Sequence, residues 1–431
     1  MPVDAHHDFE TRQIHAGTTV DQSVNARVTP IYQTAGYVFA DFADGADRFA
    51  GRGGNAYSRN DNPTNAVAAA RLADLEGGVD GILVASGQAA IAMSIAALAS
   101  SGDHILATRD LYEGTREMFC GILKRQGIDI EYIDADADDD EWRSRFRANT
   151  KAVYTETLPN PLNRVVDIAR LAQRAHDAGV PLVVDNTVPT PYLCRPIEHG
   201  ADIVIHSTSK WLSGHGSVIG GAIIDAGRFD WAAHAQRFPQ LNEPVREGTA
   251  SMTARFGSAA YLAYVRSVIV LEYGPTVPAL STFLLLHGLE TLSVRMDRHV
   301  ATAERIARWL TTRTDVIERV YHPSVPTDPH YERAQRFFPR GAGSLVSFDL
   351  IGGQAAAERF IDALQLVTPM THIGDVRTLA IHLATTIHSK LSDGERAELG
   401  IGPGLIRLSL GLESADDILA DLDQALTASR G

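Results

Sequence analysis

From about residue 65 to 285, short apolar runs alternate with stretches of helical period. The runs GILVAS (81–86), HILAT (104–108), IEYID (130–134), AVYTET (152–157), PLVVDN (181–186), ADIVIHS (201–207) and VIGGAIID (218–225) have the length and composition of buried strands. Strands separated by helices predict βα crossovers and a mainly parallel sheet, since parallel neighbours need a long connection. Ligands of such sheets lie beyond the carboxyl ends of the strands. Polar residues just after these runs are therefore the ones to weigh for chemistry.

The flanking segments differ. Residues 1–56 show little helical period and read as an arm containing VTPIYQTAGYVF (28–39). Between about 281 and 312 the pattern predicts one long helix with a candidate break at Gly288. It leads to a C-terminal part with its own strands, SLVSFDLI (344–351) and GLIRLSLGLE (404–413). The last segment, SADDILADLDQALTAS, predicts a helix capped by Ser414 with an acidic first turn. The organisation is thus an arm (1–56), an α/β domain (57–287) and a smaller α+β domain (288–431).

A chain of 431 residues exceeds what one core usually supports, in line with several subdomains. The apolar fraction of 45% and charged fraction of 21% are those of a globular protein. A net charge of -14 disfavours nucleic acid and anionic membrane as partners, so an anionic ligand has to be caught by a local site. MPVDAHHDFETRQ lacks the basic and apolar regions of a signal peptide. The small and apolar stretch 81–100 is interrupted by Gln88, glycines and serines, and reads as strand, turn and helix rather than a membrane span. Cys120 and Cys194 have no metal-ligand spacing and fit a reducing cytoplasm. The 16 histidines form no H-E-x-x-H pattern, and neither a G-x-S-x-G elbow nor a phosphate-binding G-x-x-x-x-G-K-[ST] loop is present.

The segment IHSTSKWLSGHG (205–216) ends a strand in a hydroxyl-rich turn followed at once by Lys210. A lysine there can form an imine with a carbonyl cofactor, and Ser207 and Ser209 can hold phosphate oxygens. A solvated surface lysine fits the segment equally well. Asp185 ends an almost wholly apolar strand and needs a partner; facing a protonated pyridine nitrogen, its carboxylate would make that ring an electron sink. A turn aspartate beside Asn186 is the plainer alternative. Ser86, Gly87 and Gln88 form a strand–helix turn whose free N–H groups suit a phosphate. Tyr112 follows another strand and either stacks on a planar ring or packs as an ordinary aromatic. NAYSRNDNPTN (55–65) offers Tyr57 and Arg59 as donors for an anion, from an arm able to reach a neighbouring subunit. Arg407 lies within the apolar strand GLIRLSL and needs a carboxylate, from a substrate or from an internal salt bridge.

Taken together, YSRNDNPT, SGQAA, the pair Asn160-Pro161, DNT (185–187) and HSTSK make the chain resemble the Cys/Met-metabolism family of pyridoxal-phosphate enzymes, from about residue 10 to the end. The resemblance implies the aspartate-aminotransferase-like fold (fold type I) and pyridoxal 5′-phosphate as cofactor. It makes Lys210 the Schiff-base lysine, Asp185 the partner of the pyridine nitrogen, Tyr112 the stacking residue and Asn160 the neighbour of the phenolic oxygen. Gly87, Gln88, Ser207 and Ser209 match the phosphate cradle. Tyr57 and Arg59 resemble the pair that reaches the adjacent subunit's phosphate in a homotetramer built as a dimer of dimers, and Arg407 matches the arginine gripping the substrate carboxylate.

Within that family RQIHAG, GHGSVIGG, HGLETLSVRMDRH, HIGD (372–375) and the insertion at roughly 226–255 resemble the O-acetylhomoserine sulfhydrylases. That implies γ-replacement on an O-acylhomoserine by sulfide or a thiol. A γ-lyase and a catalytically idle cofactor-binding protein are the alternatives. The chain departs from the family pattern at LYEGT (for LYGGT), VPALSTF (for SPFNAF) and HLATTIH (for HPASTTH), all bordering the expected substrate pocket.

Overall fold

A computed structural model describes residues 6–18, 20–21 and 23–430; the first five residues of the expected arm lie outside them. All seven apolar runs are strands of one sheet: β1 (Asp80–Val84), β2 (His104–Thr108), β3 (Asp129–Ile133), β4 (Thr150–Glu156), β5 (Leu182–Asp185), β6 (Ile203–Ser207) and β7 (Gly221–Asp225). Their spatial order is β1-β7-β6-β5-β4-β2-β3. Neighbours among β2 to β6 are parallel, and β7 runs antiparallel to both β1 and β6. The first six strands consequently end on the same edge. Between β2 and β4 the winding direction reverses, which opens the crevice where ligands of such sheets bind.

Both faces of this sheet are covered, as its continuous apolar runs require. In β4, Val153 packs into one core with Leu72, Leu171 and Leu289, while Ala152 and Tyr154 point the other way, towards Ile91, Phe119 and Trp231. Residues 81–100 divide into β1 and the helix Gly87–Leu98, as expected. No helix among the described residues is long and apolar enough to cross a membrane.

The C-terminal sheet comprises β8 (Ile317–Tyr321), β9 (Leu345–Leu350), β10 (Thr368–Pro369), β11 (Leu379–His382) and β12 (Leu405–Ser409), in the order β10-β11-β12-β9-β8. Its core joins Phe348, Ile406 and Phe360 to Ile306 and Leu422 from the covering helices. The whole is an α/β protein with a mainly parallel sheet and a smaller α+β part.

Three expectations need correction. The arm is not devoid of helix: Phe9–His15 and Phe42–Phe49 are helical. The first is held by the buried Phe9 ring and by Arg12, which donates to Asp74 at 2.9 Å. The second is capped by Asp41, whose side chain accepts from the Asp44 N–H. The long helix breaks at Thr291, between Ala279–Glu290 and Leu292–Leu310, not at Gly288. The C-terminal helix Ala415–Ser429 forms, yet the Ser414 side chain makes no capping bond.

Gly288 has another function in the packing. A Cβ there would lie 2.4 Å from the Leu212 carbonyl oxygen and 2.5 Å from that of Ser213, so the helix touches the turn after Lys210 backbone to backbone. We expect Gly288→Ala to lower unfolding free energy by about 1–3 kcal/mol through overpacking. Denaturant titration of the purified variant measures it, and an unchanged midpoint would contradict this contact.

Candidate active site

A cavity of about 800 Å³ opens at the carboxyl edge of the large sheet and is lined by residues of both sheets' connections. Its floor is the turn after β6. Trp211, buried, donates its indole N–H to Ser344 Oγ at 2.9 Å. Arg295, also buried, donates to the carbonyls of Trp211 at 2.7 Å and Gly288 at 2.6 Å. The main chain around Lys210 is thereby fixed. Lys210 Nζ donates to His372 Nδ1 at 3.1 Å. Burial, helped by the nearby Arg407 charge, pulls the Lys210 ammonium down to about 8. Burial and the lysine's charge push His372 down to about 4, so its ring is neutral and able to accept.

Asp185 ends β5, in register with Glu156 at the end of β4. Burial raises both carboxyls, and the Asp185 charge raises Glu156 further. Asp185 Oδ1 accepts the Thr187 N–H at 2.9 Å, so the turn conformation weighed for it is real and coexists with a place on the cavity wall. Glu156 Oε1 accepts the Tyr112 N–H at 2.5 Å. That bond anchors Tyr112, whose half-exposed ring lines the cavity and whose phenol is raised by desolvation.

The helix Gly87–Leu98 starts at the cavity. Ser86 caps it, accepting the Ala89 N–H at 3.1 Å. A Cβ on Gly87 would sit 2.7 Å from Ser207 Cβ; only glycine lets the helix start meet the end of β6. Gln88 donates to the Gly114 carbonyl at 2.8 Å. Ser207 gives its N–H to Thr187 Oγ1 at 2.8 Å, and Ser209 Oγ accepts the Gly220 N–H at 3.1 Å. A helix start and two hydroxyls thus face the same space, an arrangement suited to an anion.

Across the cavity stands Arg407, on β12. It is 2% exposed, and none of its partners is a carboxylate. Nη1 donates to Asn160 Oδ1 at 3.1 Å and Nη2 to the Thr371 carbonyl at 2.8 Å, while Nε has no partner. Burial pulls the guanidinium down to about 10, which leaves it charged at neutrality. The internal salt bridge weighed for Arg407 is absent among the described residues.

The site therefore brings together Lys210, Asp185, Tyr112, Asn160, Arg407, Ser86, Gly87, Gln88, Ser207 and Ser209. Tyr57 and Arg59 do not line it. Arg59 donates to the Leu271 carbonyl and lies 5.7 Å from the Tyr57 ring centre, outside the cavity of their own chain. Sequence reasoning passed over His372, Thr187 and Glu156 as site residues. Each stands inside a stretch singled out for other reasons: HIGD, DNT and the strand AVYTET.

Residues 10–427 match the family described as Cys/Met metabolism PLP-dependent enzyme. Homocysteine synthase of Schizosaccharomyces pombe is 42% identical over 99% of both chains. O-acetyl-L-homoserine sulfhydrylase 1 of Thermus thermophilus is 41% identical over 97% of this chain and 99% of its own. A solved Campylobacter jejuni chain with the provisional name O-acetylhomoserine (thiol)-lyase, carrying N′-pyridoxyl-lysine-5′-monophosphate, superposes with a TM-score of 0.93 at 35% identity. That match covers 98% of this chain and 100% of the other.

The Lys210 environment makes its own prediction. Replacing the buried cation in Arg407→Met removes one of the two causes that depress the ammonium. The pH midpoint for acetylation of Lys210 in the cofactor-free protein, read by mass spectrometry, should move up from about 8. A midpoint that stays or falls would contradict the electrostatic account.

Proposed function

The chain belongs to the Cys/Met metabolism PLP-dependent enzymes, and on that premise we propose that it replaces the γ-acyloxy group of O-acetyl-L-homoserine, or a related O-acylhomoserine, by sulfide or a thiol. Homocysteine or a related thioether is the product. The observation that carries this reading is Arg407, a buried cation without a carboxylate partner, across one cavity from a lysine with a depressed pKa. An amino-acid substrate supplies the missing carboxylate and a group for the lysine to act on.

The residues present fit the cofactor. The Gly87 helix start, with Ser86, Gln88, Ser207 and Ser209, would hold its phosphate, Asp185 its ring nitrogen, Tyr112 its ring face and Asn160 its phenolic oxygen, and Lys210 would be the residue that carries it. The chemistry the group would supply there is an electron sink for the pair left when the substrate's α-proton is removed. Lys210, its ammonium held near 8, is neutral often enough close to physiological pH to take that proton and pass it on. His372, neutral, orients the amine through the 3.1 Å hydrogen bond. Arg407 binds the α-carboxylate bidentately and fixes which α-substituent faces Lys210. Tyr112, whose raised phenol stays protonated, donates to the departing group.

Tyr57 and Arg59 complete the phosphate site of a neighbouring subunit in a homotetramer. Two features support that assembly: their position outside their own cavity, and an arm exposing Val38 at 91%, Phe42 at 93% and Phe49 at 81%. Free Cys120 and Cys194 support a cytoplasmic setting.

Product analysis of the holoenzyme tests the reading. Homocysteine formed from O-acetylhomoserine only when sulfide is present is the expected result, with turnover abolished in Lys210→Ala. Oxobutyrate and ammonia released without sulfide would overturn it in favour of elimination.

A further inference from the structure

One wall of the cavity, running from Tyr112 to the 385–391 segment, is acidic. Glu113 and Glu117 both line it, but in different states. Glu117 lies near the surface, paired with Lys390 at 2.6 Å, and the two side chains are 46% and 79% exposed. Such an exposed pair is weak and readily opened. Glu113 is 7% exposed, and its Oε2 accepts no hydrogen bond. The imidazole nitrogen His388 Nδ1 lies 3.4 Å from that oxygen and the guanidinium nitrogen Arg116 Nε 3.8 Å. A buried carboxylate with an unsatisfied oxygen costs stability, so its retention against a cavity needs an explanation.

The cations of the cavity sharpen the point. Among the described residues that line it they are Lys210, Lys390 and Arg407. Lys210 is bonded to His372, Lys390 to Glu117, and Arg407 is left for an α-carboxylate. A ligand with a second negative charge at the far end of its side chain meets the buried Glu113 carboxylate, while Lys390, exposed to water and shared with Glu117, offers that charge only a weak, screened pairing. Discrimination of this kind works by repulsion of the wrong ligand, and like charges facing each other across a poorly hydrated space interact strongly.

We propose that Glu113 is a specificity-determining residue that excludes amino acids whose side chain ends in a second negative charge. Resting on the proposed γ-replacement, this confines the leaving group to uncharged acyl esters such as acetyl and rejects succinyl and phosphoryl esters. The leaving-group oxygen then departs as an uncharged carboxylic acid or a monoanion, not as a dianion formed beside Glu113.

The test needs no turnover. L-norleucine and L-2-aminoadipate have side chains of equal length that differ in a terminal carboxylate. Each is titrated into the holoenzyme while the visible absorbance of the bound cofactor is followed. The wild type should bind norleucine at least about tenfold more tightly, and Glu113→Gln should shrink that ratio about tenfold. The ratio is internal to each variant, so a partly impaired protein still reports it, and Glu113→Gly serves if the glutamine variant does not fold. An unchanged ratio in the Glu113 variants, or no preference in the wild type, overturns the proposal. In parallel, kcat/KM for the O-acetyl and O-succinyl esters should converge in the same variants. If the wild type turns over neither ester, the proposed function fails, while the titration still decides the role of Glu113.

Discussion

Glu156 and Arg407 are buried and Asp185 and Lys210 half-buried around one cavity, and among the described residues none of the four forms an ion pair. Every other feature of the site follows from that constraint. Desolvation penalises the charged form of each group, so the lysine is drawn towards neutrality and the carboxyls towards protonation. Arg407 alone keeps its charge near neutral pH, because its ordinary pKa is so high that burial brings it only to about 10. Such a set is costly to maintain without a ligand. It is the signature of a site completed by what binds there.

The fold offsets part of that cost with a second polar layer. Beneath Asp185, Asn186 donates to Glu76 at 2.8 Å and to the Cys194 carbonyl at 2.9 Å, and Thr157 donates to the Asn186 side-chain oxygen at 2.9 Å. His206 pairs with the same Glu76 oxygen at 2.5 Å. These bonds tie the ends of β4, β5 and β6 together on the side away from the cavity. Arg295 does the corresponding work for the turn after Lys210, spending its donors on three main-chain carbonyls. These bonds hold in place the strand ends and the turn from which the cavity-facing groups project.

This division explains what was legible in the sequence. Buried strands announce themselves as apolar runs, as all seven of the large sheet do; a lysine, a carboxylate or a glycine turn immediately after one of the six that run the same way must emerge at one edge. Lys210, Asp185 and Gly87 were visible for that reason, as was Arg407 within an apolar strand. His372 was not, since its relation to Lys210 spans 162 residues and depends on how the two sheets dock. Gly288 looked like a helix break because a glycine in a helical pattern carries no mark of what it touches; only the tertiary contact with residues 212 and 213 distinguishes the two cases. Thr291 ends that helix with no local signal beyond its β-branch.

Reactivity and selectivity share one physical origin here. The poor hydration that depresses Lys210 also keeps the field of Glu113 from being screened, so the same enclosure that frees the lysine's electron pair makes a misplaced charge felt across the cavity. Opening the cavity to water would weaken both effects together. Neutralising Glu113 would weaken only the second, because the causes of the Lys210 shift are burial and Arg407, neither of which involves that wall. An acidic residue beside Tyr112 therefore does not compromise the chemistry beneath it. It can be tuned separately, and a substitution there alters which ligand is admitted while leaving intact the forces that prepare the lysine.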